Sequence, residues 1–181
     1  ERGIDPVAVA LDLSIESDFV ARFRIPLANN LEKGVRELLK NPHTLLGLSD
    51  AGAHASQLCD ACFSTHLLGH WVRDKEALPL EEAIRKLTSL PADVFGLEDR
   101  GRLFEGAPAD VVLFDPKTVG AGKLRRTSDL PAGEERLVAD AHGVEVVIVN
   151  GIMLRDSTRD LLSPDASLPG TLFRNGKRKR A

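Results

Sequence analysis

The spacing of apolar residues changes period near the middle of the chain, and this change limits the fold more than any other feature. Between Asp5 and Gly96 they recur at intervals of three and four, which lines one face of a helix. From Gly101 onward they come in short, Gly-bounded runs rich in Val, Ile, Leu and Phe, the pattern of strands. A helix-rich first half is therefore followed by a β second half.

In the first half, Asp5-Pro6 places an N-cap residue before proline at the first helical position, and Val7, Leu11 and Ile15 follow at i, i+4 and i+8. Phe23-Arg24-Ile25-Pro26 is compatible with a short strand. Asn30 caps a second helix with Leu31, Val35, Leu38 and Leu39 on one face, and Asn41-Pro42 ends it. Thr44-Leu45-Leu46-Gly47-Leu48 reads as a strand buried on both faces, as in a parallel sheet covered by helices, with Ser49-Asp50 at its C-terminal end. Residues 51–65 mix Gly, Ala, Ser, Asp, His and Cys without a period, which predicts an ordered loop above that strand. Leu67, Leu68, Trp71 and Val72 predict a helix. Another opens with Pro79 at N1 and Glu81 and Glu82 by its positive end, and turns Leu80, Ala83, Ile84 and Leu87 to the core. Pro91 begins a last helical turn or two, closed by Gly96 as a left-handed cap.

In the second half, Val111-Val112-Leu113-Phe114 is a strand that Asp110 and Asp115 terminate or cap. Asn150-Gly151 joins the apolar runs 146–149 and 152–154 as a hairpin, because these two residues tolerate positive φ at both turn positions. Residues 118–135 are too long and polar for a tight turn and read as an excursion.

Composition removes several classes of function. With 24 Lys+Arg against 27 Asp+Glu and a net charge of −3, no dedicated nucleic-acid binder is indicated, and one Trp with no Tyr leaves few rings for stacking on single strands. The basic run 175–180 reads as a solvated terminus rather than a phosphate-tracking surface. No stretch approaches the roughly 18 apolar residues of a membrane span, and the first residues lack a basic region followed by an apolar one. Two cysteines, Cys59 and Cys62, are too few for a disulfide scaffold, which fits a reducing, cytoplasmic compartment.

Several side chains could carry chemistry. Asp50 follows the predicted strand and either caps the next turn or works as a reactive carboxylate. His54, four residues on, either hydrogen-bonds backbone, meets a substrate carboxylate or supports Asp50. His66 and His70 share a helix face at the spacing of two metal ligands, but Leu67 stands where a zinc protease has Glu. Cys59-X-X-Cys62 has zinc or redox spacing without a second pair, so two buried thiols are expected.

Three stretches then carry a resemblance. Residues 46–54, Leu-Gly-Leu-Ser-Asp-Ala-Gly-Ala-His, resemble the end of the eighth barrel strand of the amidohydrolase superfamily. Residues 80–97 resemble the barrel's closing helix, and Arg100-Gly101-Arg102-Leu103, residues 109–115 and residues 147–151 resemble its β-domain. Residues 59–73 and Asp129-Leu130-Pro131-Ala132-Gly133 are similar to the N-acyl-D-amino-acid deacylase branch.

The resemblance implies an α/β plus β fold: the C-terminal end of an incomplete metal-dependent (β/α)8 barrel over residues 1–98, a small composite β-sandwich domain over 99–174, and a flexible basic tail over 175–181. A complete barrel takes about 250 residues, so the family's His-X-His pair, its Cys or modified Lys and its two later His ligands are expected upstream. It also implies zinc or another divalent metal in the complete enzyme, which lowers the pKa of its water to about 7. Asp50 is expected as general base and then general acid, and as a contact of the metal; His54 is expected at the substrate. The expected substrate is a small N-acyl-D-amino acid, with no nucleic-acid or membrane partner. Alternatives are a cyclic amide or another C–N bond, as in dihydroorotases, hydantoinases and deaminases, or a non-catalytic remnant or assembly domain. The isolated chain is expected to be inactive, and exposed strand edges predict a homo-oligomer or strand exchange around residues 23–49.

Overall fold

Asp5 begins the first helix as its sequence predicts. Its carboxylate accepts from the backbone N–H groups of Val7 and Ala8, both at 3.4 Å, and Pro6 stands at the first position of α1, Pro6–Glu16. The structure is a computed structural model that describes residues 3, 5–26, 28–47, 49–50, 52–59, 61–163, 165–174 and 177–178. Contacts divide the chain into two units, Glu1–Val35 and Arg36–Ala181. In the first, the apolar stripe of α1 is uncovered, with Val7, Leu11 and Ile15 each more than half exposed. The strand expected at 23–26 does not form: among the described residues no neighbour offers a ladder, and Phe23 and Ile25 stay exposed.

α2, Glu32–Lys40, ends where Asn41 Oδ1 accepts from the N–H of His43 at 2.8 Å. The parallel strand expected at 44–48 does not form over its described residues. Residues 44–47 carry no strand, Leu45 is exposed, and Leu48 lies outside the described residues. A parallel strand needs a partner edge, and every pairing among the described residues is antiparallel, so they close no barrel. Thr44 instead folds back on the end of α2, its hydroxyl donating to the carbonyls of Leu38 and Asn41.

The core lies in the following helices. α3, Phe63–His66, widens into a π-helix, Leu67–Asp74, that buries Leu67, Leu68, Gly69 and Trp71. α4, Leu80–Leu87, follows with Pro79 at its N-cap rather than at N1, since the ψ of 154° there is extended. α5, Ser89–Phe95, closes on Gly96 in the left-handed conformation, φ 68°. Ala77, Leu78, Ala83 and Ala92 complete the helical core, and Val119 joins it from the β half. Gly69 permits that junction: a Cβ there would lie 2.6 Å from the carbonyl oxygen of Val119.

The strands are β1, Val111–Phe114; β2, Gly120–Ala121; β3, Arg125–Thr127; β4, Arg136–Val138; β5, Ala141–His142; β6, Val144–Val149; β7, Ile152–Arg155; β8, Phe173–Arg174; and β9, Lys177–Arg178. The main sheet runs β1-β6-β7, antiparallel, pairing Val112 with Val147 and Ile148 with Met153. Its hairpin turns at Asn150 and Gly151, with φ of 50° and 82°, as the dipeptide predicts. Asp110 Oδ1 accepts from the N–H of Asn150 at 2.6 Å, joining the turn to the start of β1. The excursion at 118–135 contains more order than expected. It holds β2, β3 and a 3₁₀ turn, Pro131–Gly133, and returns through the pairs β3-β4 and β2-β5. Ion pairs Arg125–Asp140 and Arg136–Asp129 flank these ribbons, so polar side chains accompany strands that have no apolar alternation to reveal them. Of the basic run, Lys177 and Arg178 pair with β8, and the rest lies outside the described residues. No helix among the described residues is long and apolar enough to cross a membrane.

Candidate active site

Asp50 and His54 flank one turn. The carbonyl of Asp50 accepts from the N–H of Ala53 at 3.1 Å, and that of His54 accepts from Gln57 at 2.7 Å and Leu58 at 2.9 Å. Residues 52–58 are thus a series of tight turns, and the Asp50 and His54 side chains are exposed to solvent. Ala51 lies outside the described residues.

Two remote contacts hold this stretch. Upstream, Lys86 on α4 donates through Nζ to the carbonyls of Asn41 at 3.3 Å and Thr44 at 3.4 Å. Downstream, the N–H of Leu137 on β4 donates to the carbonyl of Ala55 at 2.8 Å. The neighbouring Arg136 is locked by a two-point bond to Asp129, 2.6 and 2.8 Å, so the Asp129–Gly133 motif braces the strand that reaches the loop. That bond is the leading cause that holds the Asp129 carboxyl below the ordinary carboxylate range. Sequence reading did not find either anchor. Leu137 acts through its backbone, which has no residue signature; Lys86 had one, a cation three residues after Ala83 on a buried stripe.

His66 and His70 come together, their rings stacked at 4.7 Å and 12° apart, with Trp71 edge-on to His70 at 5.0 Å. Partial burial, then the charge of His70, push the His66 pKa down. Imidazole lone pairs lie in the ring plane, so stacked rings direct them along parallel planes rather than at one ion. Cys59 and Cys62 are not disulfide-bonded and are half-buried, not fully buried as expected, and Cys62 Sγ lies 4.0 Å from the carbonyl of Cys59. Among the described residues no three His, Cys, Asp or Glu side chains gather where they could hold a metal. Zinc takes three or four protein ligands, so the described residues do not fit a complete metal centre. A cleft of about 730 Å³ lined by Val72, Ala77, Leu78 and Leu80, with Lys40 and Glu82 at its sides, includes neither Asp50 nor His54.

A profile of the Amidohydrolase family matches residues 3–154. The chain belongs to that family. An N-acyl-D-glutamate deacylase of Alcaligenes xylosoxydans xylosoxydans is 46% identical over 110 residues, which is 61% of this chain and 20% of that protein. A D-aminoacylase of the same organism is 38% identical over 122 residues, 66% of this chain and 23% of that protein. Among solved structures, an N-acyl-D-glutamate deacylase from Bordetella bronchiseptica, complexed with zinc and a phosphonate inhibitor, is 41% identical over 50% of this chain and 17% of its own, at a TM-score of 0.40. The chain spans about a fifth of the length of the curated relatives it matches. In this amidohydrolase-family chain Asp50, His54, Lys86 and Leu137 all lie inside the matched residues, and the expected membership of the amidohydrolases is borne out.

Proposed function

We propose that this chain supplies the proton-transferring carboxylate, Asp50, to an amidohydrolase that cleaves the amide bond of N-acyl-D-amino acids. The observation that carries the reading is the position of Asp50: solvent-facing, on a turn anchored at both ends, within a chain 46% identical over 110 residues to a protein named N-acyl-D-glutamate deacylase. Hydrolysis adds water across the C–N bond. The Asp50 carboxylate takes a proton from the attacking water as its oxygen bonds the acyl carbon, then returns that proton to the amine as the C–N bond breaks. His54, at the other end of the turn, hydrogen-bonds the substrate carboxylate. The zinc or other divalent ion that the resemblance implies would polarise the acyl carbonyl, and it requires donors beyond the described residues. The same reading assigns residues 1–98 to the end of a barrel and 99–174 to a β-domain, places the protein in the cytoplasm and makes it self-associate around residues 23–49.

The test is a substrate panel on the protein that carries this chain, with zinc supplied: N-acetyl-D-glutamate, N-acetyl-D-leucine, their L-enantiomers and dihydroorotate. Release of the free D-amino acid, lost in D50N, is the expected result. Turnover of dihydroorotate alone, or of no N-acyl-D-amino acid, refutes the substrate assignment.

A further inference from the structure

Both anchors of the Asp50 stretch come from far along the chain, and the upstream one is a buried charge. The Lys86 side chain is 2% exposed, a costly place for an ammonium unless its donors are used. They are aimed at the carbonyls of Asn41 and Thr44, just past the C-terminal end of α2, where the helix end carries partial negative charge. Glu82, one turn earlier on α4, brings a carboxylate oxygen to 4.0 Å. Asp50 lies six residues after Thr44 and five before Ala55, in the stretch between the Lys86 grip and the Leu137 bond.

We infer that Lys86 is a positioning residue: its ammonium fixes residues 41–44 to α4 and thereby sets where the Asp50 carboxylate stands. The inference rests on the proton-transfer role proposed for Asp50. A methionine at this position fills a similar volume but cannot grip the carbonyls, so it separates packing from positioning.

In the protein that carries this chain, K86M is expected to lower kcat on N-acetyl-D-glutamate about 10- to 100-fold, the cost of a displacement near 1 Å, with KM changed by less than about threefold. Amide hydrogen exchange across residues 42–50 is expected to quicken in K86M, and K86R, which keeps the cation and its donors, is expected to recover most of both losses. An active enzyme whose K86M variant matches wild type in kcat overturns the inference. If wild type hydrolyses no N-acyl-D-amino acid, the functional reading falls, and exchange still decides the anchor: unchanged exchange in K86M overturns it, faster exchange supports it. Should K86M fail to fold, K86Q, neutral and a weaker donor, is judged by the same two measurements.

Discussion

Adding one methyl group should have opposite effects at two helical glycines. At Gly69, in the π-helix, a Cβ would lie 2.6 Å from the Val119 oxygen and 2.9 Å from the Gly120 Cα, about 0.8 and 0.5 Å inside ordinary contact. Both obstacles are backbone, so relief requires moving the π-helix away from β2. Overpacking of this kind costs about 1–3 kcal/mol. The movement also strains the bond from Arg73 to the Val119 carbonyl, and charged hydrogen bonds contribute about 1.5–3 kcal/mol. The Arg73 side chain is 35% exposed, so its share falls at the low end. Alanine regains about 1 kcal/mol of helix propensity, leaving G69A less stable by about 1.5–3.5 kcal/mol. For a chain of this size that lowers the thermal midpoint by about 3–14 °C. Gly34, in α2, has nothing within 4 Å of its added Cβ, so G34A should gain about 0.5–1 kcal/mol. Thermal unfolding of the 181-residue chain followed by far-UV circular dichroism reads both shifts. A G69A midpoint equal to wild type, or both variants moving the same way, would refute the close packing of the π-helix on β2.

D50N should lower kcat about 10²- to 10⁴-fold in the protein that carries this chain. Its thermal midpoint should stay within about 1 °C of wild type, because surface changes cost little; an active D50N removes Asp50 from the mechanism. The folded chain protonates His66 less readily than the unfolded chain, so its contribution to stability is whole above the ordinary value of 6.5 and declines as pH falls toward the lowered folded value. The midpoint of wild type should therefore drop more than that of H66Q on acidification from about pH 7.5 to 5.5, and parallel drops would refute the burial assigned to this ring. Metal analysis of the isolated chain after dialysis against zinc should find well under one ion per chain, since no three donors gather among the described residues. A stoichiometric, tightly held zinc would contradict that arrangement.

Local signals in the sequence were read well where one residue type does one physical task. Asp5 before Pro6, Gly96 after α5 and Asn150-Gly151 each satisfy a backbone requirement that few residues meet, and each stands where it was expected. Hydrophobic period located the buried helices through Leu67, Leu68, Trp71 and Ala83. It misled at 23–26 and 44–48, because an apolar run forms a strand only when another edge pairs with it. It was silent over 118–135, where two-residue and three-residue strands are flanked by Arg–Asp pairs instead of apolar alternation.

The candidate site follows the same division. Asp50 and His54 are legible as candidates because reactive side chains must be of particular types, and a nine-residue motif around them carries family information. The groups gripped on either side of them are backbone carbonyls at 41, 44 and 55, which any residue provides, met by Lys86 across 45 and 42 positions and by the N–H of Leu137 on β4. A motif therefore names the carboxylate but not what holds it. If proton transfer by Asp50 depends on where that carboxylate stands, then the α4 lysine and the hairpin braced by Asp129 and Arg136 belong to the functional unit. The β half is then part of the site's geometry, since its strand β4 closes the downstream end of the loop that carries the chemistry.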